Sequence, residues 1–319
     1  MSGRTPTGLL SVVLTPKTSA DRERLDRGLS TLLAEDAALT AKPGPAPGEV
    51  VVAGVGELHL EIALDRLRRE FDVEAFVGPP QIAYKETLTR RADGEMKYWR
   101  VTDGRGDYGH VKIHVCPADP GTGYTFENEI PPGAIPGEFV GAIDEGIQNA
   151  LALGVLAGYP LDDVRIELYD GSYHAVDSSK AAFRIAGSLA FRDAARRANP
   201  VLLEPVMRVE VIAPADYADD VIANLSSRRG EIQSREEREG MQVLVAHVPL
   251  SEMFGYAVDL RDRTFGHATF AMQFARYQPV EPPPRGEDDP MVGVPRRPSP
   301  PIRQTGVALP EPIESDPEE

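Results

Sequence analysis

The feature that most constrains this chain is an alternation of periods that occurs twice. Over residues 9–77 and again over 206–277, short β-branched runs are interrupted by stretches of helical spacing. In the first stretch LLSVVLT (9–15) reads as a strand. The following ADRERLDRGLSTLLAED puts Leu25, Leu29, Leu32 and Leu33 on one helical face, with Ser19 as N-cap. A Pro/Gly-rich turn at 43–48, a strand at 49–53 and a glycine turn at Gly54–Gly56 follow. A helix over 57–71 then aligns Leu60, Leu64, Leu67 and Phe71, and a strand over 73–77 closes the stretch. Strand-helix-strand-helix-strand in about 80 residues describes a small α+β sandwich.

The second stretch has a strand at 206–213, a helix over 215–228 opened by Pro214, strands at 231–236 and 241–248, a helix over 251–262 and a strand at 268–277. That order, βαββαβ, is ferredoxin-like. Between the two lie EMKYWRVT (95–102), YGHVKIHVC (108–116) and YTFENEI (124–130), which read as strands. A helix over 136–154 with Phe139, Ile143, Ile147 and Leu151 spaced by four comes next, then a strand at 164–170 and a helix over 179–198. From Glu281 the pattern breaks: eleven of 29 prolines fall in the last 39 residues, and a disordered, acidic, Pro-rich tail is expected over 281–319.

Composition narrows the class. A length of 319 residues suits two or three domains. No run of 18 apolar residues is present, so no membrane span is expected, and the first 17 residues carry no signal-peptide pattern. The single cysteine, Cys116, excludes an internal disulfide and a Cys-rich zinc site and fits a reducing cytoplasm. A net charge of −16 argues against broad phosphate binding, and no DNA partner is expected. The tail contributes nine acids against four bases, so local basic loops remain possible elsewhere.

No GxxxxGK[ST] is present, so no nucleotide-binding loop, no cofactor and no GTPase activity are expected. Gly104, Gly106 and Gly109 in TDGRGDYGH spell G-x-G-x-x-G, but they lie between two strands and open no helix. The stretch reads either as a plain hairpin turn or as a flexible loop whose Arg105, Tyr108 and His110 meet phosphates and bases. In GSYHAVDSS (171–179), Tyr173 and His174 suit looped RNA. A triad of His174, Asp177 and Ser178 or Ser179 would need three neighbours on one loop to converge, and Asp177 or Ser178 as helix N-cap is the simpler account. Glu57, His59 and Glu61 lack the spacing of a metal motif, and no metal is expected. Arg228 and Arg229 before Gly230 suit a helix C-terminus, with RNA binding as the alternative.

Three blocks carry a resemblance. GVGELHLEIALDRLRREFDVEAFVGPPQIAYKET (54–87) resembles the third domain of bacterial elongation factor G. GRGDYGHVKI (104–113) and LYDGSYHAVDSSKAAFRIAGSLAF (168–191) resemble the fourth. EPVMRVEV (204–211), SSRRGEI (226–232) and VPLSEMFGYAVDLRDRTFGHATF (248–270) resemble the fifth. The resemblance implies an α+β chain with ferredoxin-like sandwiches at 8–88 and 201–280. They flank a unit at 89–200 with the fold of the second domain of a small-subunit ribosomal protein. It implies two tip loops at the ribosomal decoding region, carrying Arg105, Gly106, Tyr108, Gly109 and His110 on one and Ser172, Tyr173, His174, Asp177 and Ser178 on the other. It further implies contact of the last unit with the large-subunit stalk base and ribosomal RNA, and packing of the first unit on a GTPase domain, here absent or supplied in trans. Asp103 and Asp107 stand where the family usually has Gly and Gln, Ala175 replaces a usual acid, and the tail replaces a usual C-terminal helix.

Overall fold

The computed structural model describes residues 8–102 and 105–280; the expected disordered tail and the hairpin residues Asp103 and Gly104 lie outside the described residues.

The first unit runs β1 (Leu10–Pro16), α1 (Ser19–Glu35), β2 (Thr40–Pro43), β3 (Val50–Gly54), α2 (Glu57–Phe71) and β4 (Ala75–Val77). Its sheet order is β2-β3-β1-β4, with both helices on one face. Strand alternation buries Leu10, Val12 and Leu14 of β1 against Leu25, Leu29 and Leu32 of α1 and Leu60 and Leu67 of α2. The expected order lacked β2, whose TAKP has no buried residue to mark it. The cap of α1 also differs: Thr18, not Ser19, accepts the Asp21 N–H at 3.1 Å.

Past β5 (Gln81–Ile82), which pairs with β1, the chain enters β6 (Lys85–Leu88). The middle unit then runs β7 (Ala92–Thr102), β8 (Arg105–Pro117), β9 (Tyr124–Asn128), α3 (Gly137–Leu153), β10 (Val164–Ser172) and α4 (Lys180–Arg197). Its sheet order is β7-β8-β10-β9, with β9 parallel to β10. Phe139, Ile143, Ile147 and Leu151 of α3 are all buried, as their spacing predicts. The last unit runs β11 (Pro200–Pro214), a 3-10 turn, α5 (Ala218–Ser227), β12 (Glu231–Arg238), β13 (Met241–Pro249), a second 3-10 turn, α6 (Tyr256–Thr264) and β14 (Thr269–Pro279), in sheet order β12-β13-β11-β14.

The units are joined by more than chain continuity. Strand β6 pairs with the start of β11, Lys85↔Leu203 through Leu88↔Pro200, so the connector is an extra strand of the last unit's sheet. Glu86 on that strand is fully buried and faces the middle unit. Its Oε2 accepts the N–H groups of Val155 and Leu156, and its Oε1 those of Ala157, Gly158 and Tyr159, at 2.6–3.1 Å. Lys85 pairs with Asp162 at 2.5 Å and lies 4.7 Å from the Tyr277 ring centroid. The first and last units share one apolar cluster, and Glu57 at the start of α2 accepts the Gly255 N–H at 2.9 Å.

Candidate nucleic-acid interface

The far end of the middle unit is the β7–β8 hairpin, with the segment after β10 folded against it. Ladder pairing continues to Thr102↔Arg105, so the stretch from Arg105 to His110 is strand, not a flexible loop. This corrects the looser of the two sequence readings: a two-stranded ladder satisfies the backbone that a free loop would leave to water.

Three candidate residues are held in place by it, Tyr108 and His110 on one face of the ladder and Gly109 on the other. Tyr108 is buried; its hydroxyl meets Ser172 Oγ at 2.7 Å, and its N–H donates to the Asp177 carbonyl at 2.8 Å. His110 has both ring nitrogens engaged, Nδ1 with Ser172 Oγ at 2.9 Å and Nε2 with Glu95 at 2.9 Å. Gly109 is buried where a Cβ would lie 2.9 Å from the Ala182 backbone, so its lack of a side chain lets β8 and α4 touch. Gly106 has the same role toward Asp177, whose Cγ a Cβ would meet at 2.7 Å. Tyr108, His110 and Ser172 therefore build the tip's frame, with Ser172 Oγ shared by the other two, and Gly109 lets it close on α4.

Tyr173 and His174 are exposed, as their place in a glycine-polar loop suggests. Asp177 holds the imidazole: its N–H donates to His174 Nδ1 at 3.2 Å, and its Oδ2 lies 3.0 Å from the same nitrogen. Neutral His174 accepts the N–H, and the protonated ring donates to the carboxylate. Its Nε2 has no hydrogen-bond partner among the described residues. No serine reaches the ring: Ser178 Oγ accepts the His174 backbone N–H at 2.9 Å, and Ser179 Oγ donates to Asp107 at 2.8 Å. The triad geometry is thus not formed. The helix cap is Ser179, one or two residues beyond the expected Asp177 or Ser178, accepting the Ala182 N–H at 3.1 Å.

Sequence reasoning missed the exposed apolar residues of the same tip: Trp99, Val101 and Val176. A signal was present in β7, where Met96 and Tyr98 pack on the core and Trp99 and Val101 take the opposite phase. Next to the tip, Lys112 pairs with Asp170 at 3.0 Å. The Gly171 N–H and the ammonium lower the Asp170 pKa, and the carboxylate raises that of Lys112.

The other candidates are structural. His59 accepts the Val55 N–H at Nδ1 and meets Asp36 at 2.7 Å through Nε2, stitching α2 to the end of α1. Among the described residues no group of three or more His, Cys, Asp or Glu could hold a metal ion. Arg228 donates to the carbonyls of Glu252 and Phe254 and to Asp259. Arg229, not Gly230, takes the left-handed position after α5, with φ 56°. Its guanidinium forks onto buried Glu204 at 2.8 and 3.0 Å.

Fold and order of units together define a chain of the elongation-factor type. Residues 5–79 match Elongation Factor G, domain III, residues 80–199 match Elongation factor G, domain IV, and residues 201–287 match Elongation factor G C-terminus. The chain belongs to the elongation factor G family, through that family's third, fourth and C-terminal domains. A crystal structure from Thermus thermophilus is 40% identical, with a TM-score of 0.69, over 88% of this chain. The chain spans 42% of the length of that one.

Proposed function

We propose that the chain is a ribosome-binding translation factor of the cytoplasm that acts in translocation by placing the middle unit's tip in the A site of the small ribosomal subunit. The last unit then faces the large-subunit stalk base. The carrying observation is the tip itself: exposed Tyr173 and His174 on a frame of Tyr108, His110, Ser172 and Asp177. A rigid frame under an open ring and imidazole suits RNA loops better than catalysis, because the side chains that could act as base and nucleophile already satisfy one another. No helix among the described residues is long and apolar enough to cross a membrane.

A second reading adds a GTPase partner in trans. It is favoured by Leu58 and Ile62 on α2, which expose about half their surface on the first unit. Such residues at i and i+4 form one apolar face that a partner would cover. Co-sedimentation with ribosomes, with and without GTP and a separately supplied elongation-factor GTPase, tests both. Binding by the chain alone, weakened in His174→Ala with unchanged melting, supports the first reading. Binding only when the GTPase and GTP are present supports the second. No binding under either condition overturns both. In the same series, fluorescent GTP analogue should not bind the chain alone; micromolar affinity would contradict a factor lacking its own GTPase.

A further inference from the structure

We infer that Trp99 is a stacking platform for an unpaired nucleobase at the tip, an assignment that rests on RNA being the tip's ligand. Trp99 leaves β7 on the face away from the core and is 53% exposed. It is nevertheless held: its ring meets Tyr108 at 5.7 Å and 70°, and His174 at 6.2 Å and 87°. These near-perpendicular contacts fix the indole while half of its surface stays open. Val101 on the same strand, Tyr173 beside His174, and Val176 extend the open apolar surface, at 60%, 45% and 85% exposure. Single exposed apolar residues are ordinary, but four at one end of the unit are more than solvation alone would place there.

The charges at the tip select among RNA contacts. Lys97 lies 5.7 Å from the Tyr108 ring centroid and is engaged there. Asp107 and Asp177 bring carboxylates to the same end, held by Ser179 and His174. Carboxylates disfavour phosphate contacts, which are left at this end to exposed Arg100, between Trp99 and Val101 on β7. Stacking on an aromatic ring needs no cation and tolerates any base. The geometry therefore assigns Trp99 to a base face, with His174 beside it offering Nε2 as a hydrogen-bonding group.

The test uses the full chain, in which Trp99 is the single tryptophan, so selective tryptophan emission reports the tip alone. The probes are a short unstructured oligoadenylate and intact ribosomes. Quenching of Trp99 by both, with Trp99→Ala weakening oligoadenylate binding about tenfold and Trp99→Phe retaining most of it, supports the inference. A shallow salt dependence of oligoadenylate affinity is expected as well. Equal oligoadenylate affinity in Trp99→Ala with unchanged melting overturns it. So does emission that responds to isolated ribosomal proteins but not to oligoadenylate. Ribosomes that co-sediment with the chain while Trp99 emission stays unchanged overturn this inference and leave the proposed function standing. Absence of both co-sedimentation and quenching removes the two together.

Discussion

Asp21 lies buried in the first turn of α1, where the Thr18 hydroxyl at 2.6 Å, the Glu74 N–H at 3.2 Å and Arg24 at 3.2 Å converge on its carboxylate. The Thr18 bond first, then the Glu74 N–H, hold its pKa below the ordinary 3.8. A carboxylate whose folded pKa is depressed contributes stability that is complete above the unfolded value and lost as pH falls through the folded one. Asp21→Asn should therefore flatten the fall of the urea midpoint below about pH 4, and an acid limb identical to wild type would refute this. Arg229 poses the opposite case, a partner whose loss strands a charge. Glu204 is 1% exposed, and Arg229→Ala leaves it with the Ser251 hydroxyl but no cation, an expected loss of about 3 kcal/mol in urea unfolding. Adding Glu204→Gln should recover part of it; no recovery would mean the pair is not the cause. At this scale the sequence was read unevenly. Tyr173 and His174 were legible because a glycine-polar loop exposes what it carries. Tyr108 and His110 were not, because nothing local shows that Ser172, more than sixty positions on, will cap both.

Helices were the most legible elements. Leucines at helical spacing located α1 and α2, and the bounds of α2 agree with the residues expected, 57–71. Their caps were less legible, since Thr18, Ser19, Ser178 and Ser179 all carry suitable hydroxyls and only backbone direction chooses among them. Short strands failed for another reason. Strand β2 buries no residue, and β6, KETL, takes its ladder partner from a different unit. Strand β6 also carries the element-scale prediction. Glu86→Gln replaces an acceptor oxygen with an amide that confronts N–H donors and leaves at least two of five unpaired. A loss of about 3 kcal/mol is expected, with faster amide exchange at Val155–Tyr159. Unchanged exchange there would show that the loop holds its shape without the carboxylate.

At the scale of the whole molecule, a small α+β sandwich, a mixed middle stretch and a ferredoxin-like order at the end were legible from period, whereas the ferredoxin-like order of the first unit needed β2, which period did not show. What period could not show is how the units are fastened, because the shared apolar cluster and the β6–β11 ladder are long-range pairings without local signature. That fastening decides where the chain can be divided. A fragment beginning at residue 89 discards β6, exposes the first four residues of β11 as a bare edge and empties the pocket of five N–H groups that Glu86 fills. A fragment beginning at residue 80 keeps the strand, the carboxylate and the Lys85–Asp162 pair with their partners; like the other, it loses the first unit's side of the shared apolar cluster and the Glu57–Gly255 bond. Dissection at the apparent domain edge would therefore yield an insoluble or aggregating tip-bearing piece. The cut nine residues earlier keeps the middle unit closed and its sheet edge paired, and should release the more soluble of the two pieces.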